Sequence, residues 1–209
     1  MPGTSEYQHG IDVSHYQGDI DWSKVKADGR VFAYAKAAEG DATVDVRFAA
    51  NWAGMKAAGI LRGAYLFYVA GNDPETQARN FMKRVTLEPG DLPPMVDIET
   101  ERAGVESDAQ LVKDLHTCLA ALTKHYGVAP FIYTGPSFWN AHFDDSFSHY
   151  PLWVAEYGVS KPKPVKGWGY WTIWQYSQSG SVGGVHGNVD LDYFNGSLEQ
   201  LKKFTVPGR

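Results

Sequence analysis

Two acids stand one residue apart at the end of an apolar run, Asp97 and Glu99 in "PPMVDIET", residues 93 to 100. In an extended strand, residues i and i+2 point to the same face, roughly 6.6 Å apart along it. Two carboxylates so placed in a partly dry pocket cannot both ionise comfortably, and at least one pKa must rise. A carboxyl still protonated near neutral pH is what protonating a glycosidic oxygen requires. An isolated D-x-E would serve equally on a solvated loop or in a salt bridge. Here further acids fall at the ends of other β-type runs: Asp12 in "HGIDVS", Glu39 after "FAYAKAA", Glu156 in "LWVAEY", and Asp190 and Asp192 in "VDLDYF". With Asp12 and Asp190 at neighbouring positions, the balance turns toward chemistry.

Aromatic residues in the same runs point to a saccharide. Tyr65, Phe67, Tyr133, Trp153, Tyr157, Trp174 and Tyr176 could stack on the apolar faces of sugar rings while carboxylates and amides take the hydroxyls. Gln175, inside "TIWQYS", is an amide in an apolar strand and needs polar partners. Other chemistries fare poorly. There is no H-E-x-x-H, cysteine pair or histidine cluster for zinc, no G-x-S-x-G elbow and no P-loop. The acids could alternatively hold Mg or Ca, or line a carbohydrate-binding, lectin-like barrel without turnover, but the leading reading is a hydrolase that calls for no metal and no cofactor. The lone Cys118 lies in an apolar helical repeat and reads as core packing.

The elements that must position these residues alternate. Eight β-type runs recur: "HGIDVS", "VFAYAKAAEG", "GAYLFYVA", "PPMVDIET", "APFIYTG", "PLWVAEY", "YWTIWQYS" and "VDLDYF". Helical patterns separate the early ones. Phe48, Trp52 and Met55 repeat over residues 45 to 59 before Gly59, and Asp73-Pro74 opens a second helix. Ser107 to Tyr126 is the strongest, with Ser107 and Gln110 as a capping box, Leu111, Leu115, Cys118, Leu119 and Leu122 as its buried stripe, and Gly127 as its stop. Strand and helix in repetition predict an α/β fold, a modified TIM-like barrel whose working residues sit at the C-terminal ends of the strands. The last four runs start only about 20 residues apart, too close for full crossover helices. The second half should therefore be degenerate, with fewer helices, and the Gly-rich "SGSVGGVHGNVD" could make the last two strands antiparallel.

The 209 residues fit a single domain, 1–209, with its core over about 9–204. Charged residues at 21% against 44% hydrophobic exclude a disordered chain, and no apolar run is long enough for a bilayer. A net charge of -5 with scattered basic residues excludes the basic stripe that nucleic acid requires. The start, "MPGTSEYQHG", shows no secretory signal, which leaves export by another route, release by lysis or a leader already removed. A monomer is the default.

Several of these stretches, in order, resemble the family 25 glycoside hydrolases, the Chalaropsis-type lysozymes: "GIDVSHYQGDIDW", "KAAEG", "RGAYLFY", "LPPMVDIE", "FIYTGPSFW", "LWVAEY", "WTIWQYS" and "GNVDLDYF". The resemblance runs from about residue 9 to 195. It implies an eight-stranded barrel with fewer helices and cleavage of the β-1,4 bond between N-acetylmuramic acid and N-acetylglucosamine in peptidoglycan. It implies Glu99 as proton donor and later base, Asp97 as the residue orienting the 2-acetamido group, and Asp12 and Asp190 as the remaining acids of the pocket. Tyr65, Phe67, Tyr133, Trp153, Glu156, Tyr157, Gln175 and Asp192 are the expected substrate contacts. Side-by-side carboxylates differ from the flanking pair of most glycosidases and disfavour Asp97 as direct nucleophile. Relatives commonly carry histidine between the two aromatics where this chain has Leu66, whose side chain should point away from the pocket. No wall-binding module is expected after the barrel.

Overall fold

The computed structural model describes residues 7–100 and 107–208. The first six residues, part of the stretch scanned for a leader, lie outside it.

Among the described residues, nine strands form one sheet. They are β1 (Gln8–Val13), β2 (Phe32–Glu39), β3 (Thr43–Val44), β4 (Leu61–Phe67), β5 (Met95–Asp97), β6 (Phe131–Thr134), β7 (Leu152–Ala155), β8 (Ile173–Gly180) and β9 (Val189–Phe194). The order β1-β9-β8-β7-β6-β5-β4-β2, with β1 also pairing β2, closes eight of them into a barrel, and β3 is a short antiparallel appendage of β2. All eight anticipated runs are barrel strands. β9 runs antiparallel to both β8 and β1, so the hairpin expected from the glycines is present.

The helices are α1 (Trp22–Ala27), α2 (Phe48–Ala57), α3 (Pro74–Met82), α4 (Asp108–Tyr126), α5 (Pro136–His142) and α6 (Leu198–Lys202). No helix separates β7 from β8 or β8 from β9, which is the degenerate second half. β3, α1, α5 and α6 are too short to show a period in the sequence. Asp73 caps α3 through its side chain, and Gly127 ends α4 at φ 72°. One cap differs from expectation. Ser107 accepts from the Gln110 backbone N–H, but the Gln110 side chain donates to Asp114 Oδ1 at 2.8 Å instead of returning to the cap. Complete capping boxes occur at Ser14/Gln17 and Ser197/Gln200.

Alternation along each strand makes two cores. Outward residues such as Ile11, Leu66, Val96, Ile132 and Val154 pack against the helices, where the α4 stripe is buried as predicted. Cys118 belongs to this layer, and burial pushes its thiol up to about 12. Inward residues, among them Phe32, Tyr34, Met95, Phe131, Trp153, Ile173 and Phe194, plug the barrel. Two glycines make room for this plug. A Cβ at Gly10 would lie 2.3 Å from the Phe32 ring, and one at Gly63 2.3 Å from the Tyr34 ring.

Candidate active site

The inward residues at the C-terminal rim replace the apolar plug with acids. A cavity of about 180 Å³ opens there, lined by Asp12, Lys36, Tyr65, Phe67, Asp97, Glu99, Tyr133, Gln175 and Asp190, with Ser14, Tyr16 and Gln17 from the turn after β1. Because β9 is reversed, it brings Asp190 to this rim from its N-terminal end, directly opposite Asp12 in the strand register.

Asp97 ends β5 and is 7% exposed, while Glu99, just beyond the strand, reaches solvent. Neither takes part in an ion pair among the described residues. Among the described residues, Asp97 Oδ1 is buried without a hydrogen-bond partner. Burial holds the Asp97 carboxyl well above the ordinary aspartate range, the neighbouring Glu99 charge adds to this, and Lys36 acts in the opposite sense. Burial also raises Glu99, with Asp190 adding to it and Lys36 opposing. Burial is the largest cause of the rise at both acids.

Asp12 is tied to the rim by an amide. Gln175 Nε2 donates to Asp12 Oδ2 at 2.6 Å, and Gln175 Oε1 accepts from the Tyr133 hydroxyl at 2.8 Å and from the Tyr157 hydroxyl. The partners that a buried amide requires are therefore a carboxylate and two phenols, and they fix its orientation. Burial, then Asp192 and Asp190, raise Asp12 well above its ordinary range. Asp190 is raised by burial, with the Asp12 side chain lowering it. These acids share too small a volume to ionise together, so they titrate as a group.

Three predicted contacts lie elsewhere. Trp153 is fully buried against Tyr34, at a centroid distance of 4.8 Å, and belongs to the barrel plug. Glu156 turns away to the loop beyond β7, accepting from Lys163 N at 2.6 Å and pairing with Lys163 Nζ at 3.0 Å. Asp192 is fully buried, beside Gln175 in the register and inside the barrel, so it reaches no surface a sugar could touch. Of the other strand aromatics, Trp174 and Tyr176 face outward, where Tyr176 stacks on Tyr193 at 4.0 Å. Leu66 is buried in the outer layer opposite Val96 and leaves the pocket untouched.

Two contributors were missed by sequence reasoning. Lys36 sits at the inner rim, paired with Glu39 and over the Phe67 ring at 4.7 Å, and is the only cation in the pocket lining among the described residues. Its signal was a lysine inside the apolar run "FAYAKAA". Tyr16 is 81% exposed and packs in a tilted arrangement on His15 at a centroid distance of 4.1 Å, while His15 is fastened to Asp45 at 2.8 Å. A loop aromatic carries no periodicity to reveal it.

An acid-lined cleft at the mouth of a closed α/β barrel is the arrangement of a glycoside hydrolase. Residues 11–185 match the sequence profile of the glycosyl hydrolases family 25, and the chain belongs to that family. It is similar to lysozyme M1 of Streptomyces globisporus, 40% identical over 214 residues, 96% of this chain and 72% of that protein. The crystal structure of a bacterial lysozyme from Streptomyces coelicolor superposes with a TM-score of 0.91 at 38% identity, covering 97% of this chain and 98% of that one. A family GH25 lysozyme from Aspergillus fumigatus gives a TM-score of 0.87 at 33% identity, covering 97% and 100%.

Proposed function

We infer that this protein is a muramidase that cleaves the β-1,4 bond between N-acetylmuramic acid and N-acetylglucosamine of bacterial peptidoglycan, with Glu99 as general acid and base and Asp97 orienting the 2-acetamido group. The observation that carries it is the pairing of Asp97 and Glu99 on one rim, neither spent in an ion pair among the described residues. Glu99 is the accessible member, and its raised pKa keeps a proton available for the departing sugar oxygen. Asp97 Oδ1 is a buried acceptor without a partner among the described residues. An acetamido N–H supplies the hydrogen bond it lacks, which stabilises the Asp97 carboxylate once substrate excludes water.

With its N–H so held, the acetamido carbonyl is placed to attack the anomeric carbon as Glu99 protonates the leaving oxygen. An oxazoline-like intermediate forms, and the Glu99 carboxylate then takes a proton from the water that opens it, giving net retention. Asp12, fixed by Gln175, and Asp190 present negative charge to the oxocarbenium-like transition state. Tyr65, Phe67, Tyr133 and Tyr157 flank the sugar, and Tyr16 offers a platform at the rim. The barrel over about 9–204 is taken as the catalytic unit, working as a monomer at the cell wall outside the cytoplasm. Among the described residues no helix is long and apolar enough to cross a membrane.

Clearing of a purified peptidoglycan suspension tests the reading. Glu99→Gln should lose about 100-fold or more of the wild-type rate, and wild type should be indifferent to EDTA. A near-wild-type Glu99→Gln removes the assignment, and loss in EDTA reassigns the acids to a metal. The first product anomer, read by NMR, should be the retained one, and a de-N-acetylated wall should resist cleavage.

A further inference from the structure

A second groove, rich in aromatic side chains, lies away from the acid rim. At the opposite end, where β7 and β8 begin and β9 finishes, a cavity of about 570 Å³ is bounded by Tyr170, Trp171, Trp168, Tyr150, His149 and Lys203. Its size falls in the range of small-ligand sites. Three features separate it from a packing defect. Tyr170 is 75% exposed, one of few large apolar side chains left in water among the described residues. The rings beside it are held rigid: Trp168 donates to Tyr150 O at 2.8 Å, and Trp171 packs on Tyr7 at a centroid distance of 5.4 Å and on Trp174 at 5.8 Å. The lining holds Lys203 and His149 and no carboxylate, in a chain whose net charge is -5.

We propose that this groove is a second, non-catalytic saccharide site that grips a peptidoglycan strand by ring stacking on Tyr170 and Trp171, with Lys203 facing the carboxylates of its muramyl groups. The exposed Tyr170 ring and the half-buried Trp171 ring, braced by Tyr7 and Trp174, present apolar faces that match those of pyranose rings. The acid-free lining complements an anionic glycan, whereas the catalytic cleft is crowded with acids. Since the two sites open at opposite ends of the barrel, they engage different strands of the wall, and the second raises the local concentration of substrate at the first. The identity of the ligand rests on the muramidase reading above.

The test compares insoluble and soluble substrate. Tyr170→Ala and Lys203→Glu should each weaken co-sedimentation of the Glu99→Gln protein with purified insoluble peptidoglycan by roughly fivefold to tenfold. In the catalytically intact background they should slow clearing of that wall several-fold, yet leave the rate on a short soluble muramyl glycan at the wild-type value. Unchanged co-sedimentation and clearing would overturn the proposal, as would parallel loss on the soluble glycan, which reports damage to the fold. Wild type inert toward the soluble glycan would instead count against the muramidase reading, with co-sedimentation still judging the groove.

Discussion

Asp192 shows how a buried acid can serve a site it never touches. Both its oxygens lie buried with no well-aligned hydrogen-bond partner, as does Trp153 Nε1. Burial above all, then the charge of Asp190, holds Asp192 well above the ordinary aspartate range, while Asp12 and Trp153 beside it act in the opposite sense. Its side chain lies inside the barrel beside Gln175, out of reach of the cleft. Asp192→Asn, which keeps the shape and removes the ionisable group, should keep hydrolysis within a few-fold of wild type, whereas Asp192→Ala, which leaves a void, should lower both activity and melting temperature. An inactive but folded Asp192→Asn would show that the carboxylate itself is used. Nothing in "VDLDYF" separates the two acids, because period two places both on one face and only depth distinguishes Asp190 from Asp192.

Among the elements, the strands were legible because inward and outward sets alternate so regularly. Asp12, Asp97 and Asp190 stood out as acids at the ends of such runs, and Gln175 as an amide inside one, and the structure brings all four to one cavity. Trp153 and Glu156 were misplaced for the complementary reason: facing inward does not say at which level, and a residue just past a strand can turn with its loop. The glycines of the wall carry a further consequence. Tyr34 is enclosed by Trp153 and donates to Pro93 O at 3.0 Å, so its ring cannot yield to a new methyl on β4. Gly63→Ala should cost about 1 to 3 kcal/mol in urea unfolding. A neutral result would mean that the plug is looser than its contacts indicate.

At the scale of the molecule, the acid cluster ties stability to pH. Folding raises the carboxyls of Asp12, Asp97 and Asp192, so the folded chain holds more protons than the unfolded one above the ordinary aspartate range. Their contribution is fully favourable below that range and is lost as pH climbs through the raised values. The melting temperature should be higher near about pH 5.5 than near about pH 8.5, and Asp192→Asn should flatten the difference. An equal dependence in wild type and variant would place the effect elsewhere.

The pairing of β1 with β9 joins Gln8 to Phe194, nearly the two extremes of the described chain. A growing polypeptide therefore exposes Asp97 and Glu99 long before Asp190 exists to face Asp12. The ring cannot close, nor the acid cluster be completed, before β9 has been synthesised and has paired with β1.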